Sequence, residues 1–332
     1  MEKFMPITIN LTLVYADRKE VWCNAVKRNW TITYYTSVFF SSLNLKIITI
    51  GISCGMIKPG PIGVFDSGYG GLTVLKEFIQ TLPQYDYLYL GDNARAPYGT
   101  RSFETVYDYT LQCVKHLFDQ GCSLVILACN TASAKALRTI QQKDLPNLEA
   151  HLRVLGVIRP TTEVVGKYTQ TKKVGVFATK GTVVSQSYVV EINKFYPDVE
   201  VFQEACPMWV PLVENNEHLN EGADFFVQKH INQLLQQQPD IDTFLLGCTH
   251  YPLLVDKIRK YTPKHITILT QGKIVADSLI DYLNRHPELE QHCSKGGKQS
   301  YLTTDDTDNF NEHAGTFLGK NIFSKHVSLI SS

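Results

Sequence analysis

At 332 residues, with 44% hydrophobic and 19% charged side chains, the chain has the composition of a globular protein long enough for two domains. Lysine plus arginine and aspartate plus glutamate each total 32, so no net field draws nucleic acid or an anionic membrane. Eight cysteines (positions 23, 54, 113, 122, 129, 206, 248 and 293) form no CxxC pair, which argues against structural zinc and a disulfide framework and for a reducing compartment.

Residues 1–57 differ in character from the rest of the chain. The apolar runs around Trp30–Tyr35, Val38–Phe40 and Ile47–Ile50 are short, and Asn44 and Lys46 interrupt them. None approaches the roughly 18 apolar residues that cross a bilayer. They also begin too far into the chain for a signal peptide. Met56 stands just ahead of Lys58-Pro59-Gly60-Pro61, so the native start is expected at Met56, with the extension untranslated or disordered.

The fold is expected to begin with a strand, Ile62-Gly63-Val64-Phe65, then the turn Asp66-Ser67-Gly68-Tyr69-Gly70-Gly71 and a helix carrying Leu72, Val74, Leu75 and Phe78. The glycines match neither the dinucleotide nor the P-loop spacing. Asp66 suits a group that takes a proton or orients an amine better than a neighbour of phosphate. A second strand, Tyr87–Asp92, leads into the loop Asn93-Ala94-Arg95-Ala96-Pro97-Tyr98-Gly99, either a polar lid or a rigid turn with a solvated Arg95. After a helix over Phe103–Phe118, the apolar run Leu124–Leu127 ends in Ala128-Cys129-Asn130-Thr131, and a helix is expected to continue to Leu145. Cys113 and Cys122 look like core packing.

Two further strands come next, Val154–Ile158 and Lys173–Ala178, the second running into Thr179-Lys180-Gly181-Thr182. Cys206–Glu214 is expected as a loop ending in an acid, and Ala223–Gln236 as a helix. The strand Thr243–Gly247 then ends in Cys248-Thr249-His250. A strand at Ile266–Thr270, a helix at Ile274–Asn284 and short strands near Tyr301 and Val327 close the chain. Asp66 precedes Cys129 by 63 positions and Thr179 precedes Cys248 by 69, which suggests an internal duplication.

Two strand-end thiols could be a redox pair, metal ligands, a nucleophile with a spare, or an opposed acid and base. Redox pairs are usually close in sequence, zinc wants three or four ligands, and only Cys248 has a nearby histidine. Opposed acid and base use both halves: one thiol takes a proton from a chiral carbon while the other returns one to the opposite face. Ser67, Asn130, Thr131 and Thr249 could then hold carboxylates through neutral hydrogen bonds.

The segments Asp66–Val74, Gly91–Gly99, Ala128–Ser133 and Leu246–Leu254 together resemble the glutamate racemases, cofactor-independent members of the aspartate/glutamate racemase superfamily. The likeness covers roughly residues 58–330. It implies two similar α/β domains with mainly parallel sheets, residues 58–153 plus 268–330 and residues 154–267, and an active site in the cleft between them. It further implies that Cys129 and Cys248 are the two bases, the first acting on D-glutamate and the second on L-glutamate. Asp66 would assist Cys129, and Glu214 and His250 would assist Cys248. Asp66, Ser67, Tyr98, Gly99, Asn130, Thr131, Thr249 and His250 match substrate-binding positions, with Thr179 and Thr182 as further candidates. Asp92 matches a family acid without an assigned role, and Thr161 stands where the family usually has glycine, near the expected hinge. The resemblance implies a cytoplasmic enzyme with no metal and no pyridoxal phosphate, supplying D-glutamate for peptidoglycan; the partner is the small-molecule substrate, and the sequence allows a homodimer. The rival readings are an aspartate or hydantoin racemase built on the same thiols, and a non-catalytic regulator such as a gyrase inhibitor.

Overall fold

The computed structural model describes residues 58–329, together with the backbone of two short strands, Thr31–Ile32 (β1) and Cys54–Gly55 (β2), which pair antiparallel. The expectation for residues 1–57, with Met56 as the start, otherwise falls outside the described residues.

Ten strands form two sheets within residues 58–329: β3 (Ile62–Asp66), β4 (Tyr87–Gly91), β5 (Leu124–Leu127), β6 (Arg153–Gly156), β7 (Lys173–Ala178), β8 (Glu200–Ala205), β9 (Thr243–Gly247), β10 (Thr267–Leu269), β11 (Gln299–Thr303) and β12 (Ser324–His326). The first sheet runs β12-β11-β4-β3-β5-β6 and the second β10-β9-β7-β8. Every pairing in both sheets is parallel. Strands covered on both faces need continuous apolar runs. The central strands β3, β4, β5 and β9 supply them, being buried throughout.

The duplication is visible in the strand order. In the first sheet β4-β3-β5-β6 follows the order of β8-β7-β9-β10 in the second, and β11 and β12 extend the first beyond β4. Val64 at the centre of β3 lies between Tyr89 and Ile126, as Val176 of β7 lies between Gln203 and Leu245. From β3 the chain moves to β4 on one side and then to β5 on the other, so the carboxyl ends of β3 and β5 flank a topological switch point, where ligands bind in such sheets. Asp66 ends β3 and Cys129 follows β5. In the second sheet the same place falls between β7, followed by Thr179, and β9, followed by Cys248.

Helices cover the sheets by spacing alone. The helix Leu72–Thr81 buries Leu72, Val74, Leu75 and Phe78, and burial of each such side chain is worth roughly 1.5–3 kcal/mol. Ser102 caps the helix Phe103–Asp119 by accepting the Thr105 N–H at 3.2 Å, and Val106, Thr110, Cys113, Val114 and Leu117 form its inner face. Cys113 and Cys122 are buried in that core, as expected.

Several expected elements differ. Ile158 does not extend a strand: β6 stops at Gly156 and a helix runs from Ile158 to Val165. The helix after Cys129 breaks into Asn130–Lys135, Leu137–Thr139 and tighter or wider turns to Asn147. Cys206–Glu214 is not a plain loop, because Trp209, Leu212 and Val213 bury one face of a short helix, Trp209–Glu214. Both expected domain boundaries cut through a strand. A division that follows the sheets falls after Gly156 and after Leu269.

Candidate active site

Asp66 is wholly buried at the end of β3. Its Oδ1 accepts the Gly68 N–H at 3.0 Å and its Oδ2 accepts the Thr249 hydroxyl at 3.4 Å, from the other half of the chain. Burial pushes the Asp66 carboxyl above the usual carboxylate range; the charge of His250 and the amides of Gly71 and Gly68 work the other way without cancelling it.

Cys129 occupies the N-cap of the helix Asn130–Lys135, with Ser67 Oγ 3.5 Å from its Sγ and the Ala132 N–H donating to the sulfur at 3.5 Å. These contacts favour a thiolate. Burial opposes them more strongly, Asp66 adds to the opposition, and the thiol is pushed up to about 12. Cys248 is close enough to contribute to that shift, so the two thiols lie within electrostatic reach.

Cys248 has different company. Its Sγ lies 3.9 Å from His250 Nδ1, and His250 Nε2 lies 3.0 Å from Glu214 Oε1. Burial alone would lower the pKa of His250. The thiol and the carboxylate outweigh it and raise the imidazole to about 10. Glu214 reaches this position from the C-terminal end of the helix Trp209–Glu214, an element missing from the sequence expectation.

The Gly-rich turn is fitted against this group. A Cβ on Gly70 would lie 2.3 Å from Thr249 Oγ1 and 2.4 Å from His250 Nδ1, so only glycine lets the turn approach so closely. Thr73 Oγ1 donates to the Thr249 carbonyl at 3.0 Å, a second bond between the halves.

A threonine cluster makes a third bridge. Thr131 Oγ1 and Thr179 Oγ1 are 2.9 Å apart, and Thr182 Oγ1 lies 3.2 Å from Thr179 and 3.5 Å from Thr131. Beside it the Gly181 N–H donates to the Gly99 carbonyl at 2.8 Å.

Two expected binding residues are placed differently from what their motifs suggest. Tyr98 is buried, and its hydroxyl donates to Asp92 Oδ2; burial pushes the phenol far up. The Tyr98 phenol is therefore committed to Asp92. Asn130 is also buried, its amide engaged by Gln271 at 2.7 Å and Tyr188 at 2.6 Å. Neither Gln271 nor Tyr188 belongs to any motif in the sequence, and no local signal marks them. Arg95 is not solvated: its Nε donates to both Asp92 oxygens at 3.0 and 2.8 Å, and the Thr304 hydroxyl donates to Oδ1 at 2.9 Å. Asp92 thus holds the 93–99 loop from beneath, and the Ala96–Pro97 peptide in that loop is cis.

A cavity of about 800 Å3 lies elsewhere, with Lys135, Arg138, Arg159, Lys194 and Arg285 among its lining residues and neither Cys129 nor Cys248 in its walls. The chemistry, not the cavity size, locates the candidate site. Among the described residues no group of three or more His, Cys, Asp or Glu side chains is arranged to hold a metal ion, and no helix is long and apolar enough to cross a membrane.

Two parallel α/β sheets of matching strand order each place a buried cysteine just beyond the carboxyl end of a central strand. A sequence model of the Asp/Glu/Hydantoin racemase family matches residues 62–279, and the chain belongs to that family: it is an isomerase, an amino-acid racemase. Within the family its similarity runs to glutamate racemases. The one from Ruegeria sp. (strain TM1040) is 39% identical over 271 residues, covering 79% of this chain and 97% of that protein. Among solved structures, a glutamate racemase isoform from Bacillus anthracis is 34% identical with a TM-score of 0.74, covering 81% of this chain and 97% of the other. The Francisella tularensis glutamate racemase, solved in complex with D-glutamate, is 31% identical with a TM-score of 0.72 over 81% and 97% of the two chains.

Proposed function

We propose that this protein interconverts L- and D-glutamate by a two-base mechanism, without metal or pyridoxal phosphate, and supplies D-glutamate for peptidoglycan. The observation that carries the reading is the pairing of Cys129 and Cys248 at equivalent strand ends, each with its own polar helpers.

In this mechanism one thiol enters as thiolate and removes the α-proton, while the other, as thiol, protonates the opposite face. The α-ammonium of an amino acid set beside Asp66 and Cys129 supplies the opposite charge that lowers both pKa values, so substrate binding itself prepares the base. On the other side, His250, held by Glu214, places a positive charge next to Cys248. Ser67, Thr249, the main chain at Tyr98 and Gly99, and the polar groups of Asn130 and Thr131 hold the two carboxylates. Thr179 and Thr182 orient Thr131 across the cleft between the halves, residues 58–156 plus 270–329 forming one lobe and residues 157–269 the other.

The test is circular dichroism or polarimetry of L-glutamate and of D-glutamate with purified protein and no added pyridoxal phosphate, with aspartate run in parallel. Decay of both glutamate signals to zero, with aspartate unchanged, is the expected result. Faster racemisation of aspartate, or loss of activity when trace pyridoxal phosphate is stripped, would overturn the reading.

A further inference from the structure

The buried network around Gln271 has a fixed direction. Gln271 lies beyond β10 and precedes the helix Gly272–Arg285, and the residue is 4% exposed. Its Nε2 faces the Val157 carbonyl at 3.3 Å, the Thr161 hydroxyl at 3.1 Å and the Tyr188 hydroxyl at 2.8 Å. A carbonyl only accepts, so Val157 obliges Gln271 to turn its NH2 toward the helix Ile158–Val165. Thr161 reinforces this, because its own proton goes to the same Val157 carbonyl at 3.0 Å and leaves its oxygen to accept. Gln271 Oε1 is then left to accept from Asn130 Nδ2, and Asn130 Oδ1 from the Tyr188 hydroxyl. Gln271, Tyr188 and Asn130 form a closed ring whose polarity is set at Val157.

The ring decides which face Asn130 offers beside Cys129. With Oδ1 committed to Tyr188 and one N–H to Gln271, the Asn130 amide keeps one N–H as its free donor. A flipped amide would set Asn130 Oδ1 against Gln271 Oε1, acceptor to acceptor, and would take away the acceptor of the Tyr188 proton. Buried groups do not tolerate either loss cheaply.

We infer that Gln271 is a positioning residue: it and Tyr188 hold the Asn130 amide in the orientation that donates to a substrate carboxylate, and Thr161 is part of the same device. The inference rests on the proposed racemisation of glutamate and on Asn130 as a binding residue. Its reach across the chain is long, joining residues 130, 157, 161, 188 and 271, which lie in helices and helix caps that follow strands of both sheets.

The experiment is steady-state racemisation of glutamate by wild type, Gln271→Leu, Tyr188→Phe, Asn130→Ala and the double variants that combine Asn130→Ala with each of the other two. A binding group contacted equally in ground and transition states appears in KM. Gln271→Leu is expected to raise KM about tenfold or more while kcat changes by less than about threefold. In the Asn130→Ala background the same substitution is expected to have no further effect on KM, because its route of action is gone. Additive effects in the double variant, or an unchanged KM in Gln271→Leu, would overturn the positioning role. If Gln271→Leu does not fold, Tyr188→Phe, which removes one oxygen, carries the test with the same expected KM rise, the same loss of effect in the Asn130→Ala background, and the same overturning results. Absence of racemisation by wild type would instead overturn the proposed function, and that failure is seen before any variant is compared.

Discussion

Cys248 Sγ lies 3.9 Å from His250 Nδ1, whereas the sulfur of Cys129 is met by the Ser67 hydroxyl and the Ala132 amide. Two halves with the same strand order have therefore acquired different means of handling a thiol. On the Cys248 side stands the His250–Glu214 pair. At Cys129 the contacts are neutral, and Asp66 supplies a negative charge.

The raised pKa of His250 makes a stability prediction with a definite sign. Its folded value of about 10 exceeds the ordinary 6.5, so the stabilisation is fully present below about pH 6.5 and lost as pH rises through about 10. Glu214→Gln removes one of its causes. The difference in Tm between wild type and Glu214→Gln should be largest below pH 6.5 and shrink toward pH 10; a difference that grows with pH would contradict the assignment.

Asp66 is expected to trade stability for activity. A carboxyl whose folded pKa is raised destabilises the native state as pH rises through that value, and at neutral pH Asp66 is buried at a cost. Asp66→Asn keeps an acceptor for the Gly68 amide, and the Thr249 hydroxyl can turn to accept from the new NH2. Thermal melts at pH 7 should show a Tm higher by roughly 2 °C or more, with kcat/KM lower by on the order of 10²-fold. A lower Tm would mean that the charge is better compensated than argued.

Gly70→Ala should cost more activity than its single methyl suggests. The new Cβ falls within 2.6 Å of both Thr249 and His250, so one of them must move. Misplacement by about 1 Å at a reacting centre can cost on the order of 10²-fold. Kinetics within about twofold of wild type would show that the turn can recede.

Most of the sheet core was legible because a strand buried on both faces is written as an apolar run. Leu124–Leu127 and Thr243–Gly247 are examples, and they are followed by Cys129-Asn130-Thr131 and Cys248-Thr249-His250, the residues of the candidate site. The parts that were not legible depend on distant partners. Gln271 is one polar residue after a strand, and its partner Asn130 is 141 positions away. The burial of Tyr98 against Asp92 was hidden because a Pro-Tyr-Gly turn looks alike whether its phenol faces in or out. In the helix Trp209–Glu214, Pro211 and the short length mask the periodicity that buries Trp209, Leu212 and Val213.

The central claim is that each thiol serves one face of Cα, and it cannot be tested by asking whether a variant favours one direction. Enantiomers have equal free energy, so kcat/KM must be the same for D- and L-glutamate in every variant. Primary isotope effects escape this constraint. A serine hydroxyl is a far weaker base than a thiolate, so in Cys129→Ser proton transfer at residue 129 becomes the slow step. The measurement is the isotope effect on kcat/KM with α-deuterated D-glutamate and α-deuterated L-glutamate, in Cys129→Ser and in Cys248→Ser. The account predicts a large effect for the D enantiomer and a small one for the L enantiomer in Cys129→Ser, and the reverse in Cys248→Ser. Equal effects for both enantiomers in both variants would contradict it.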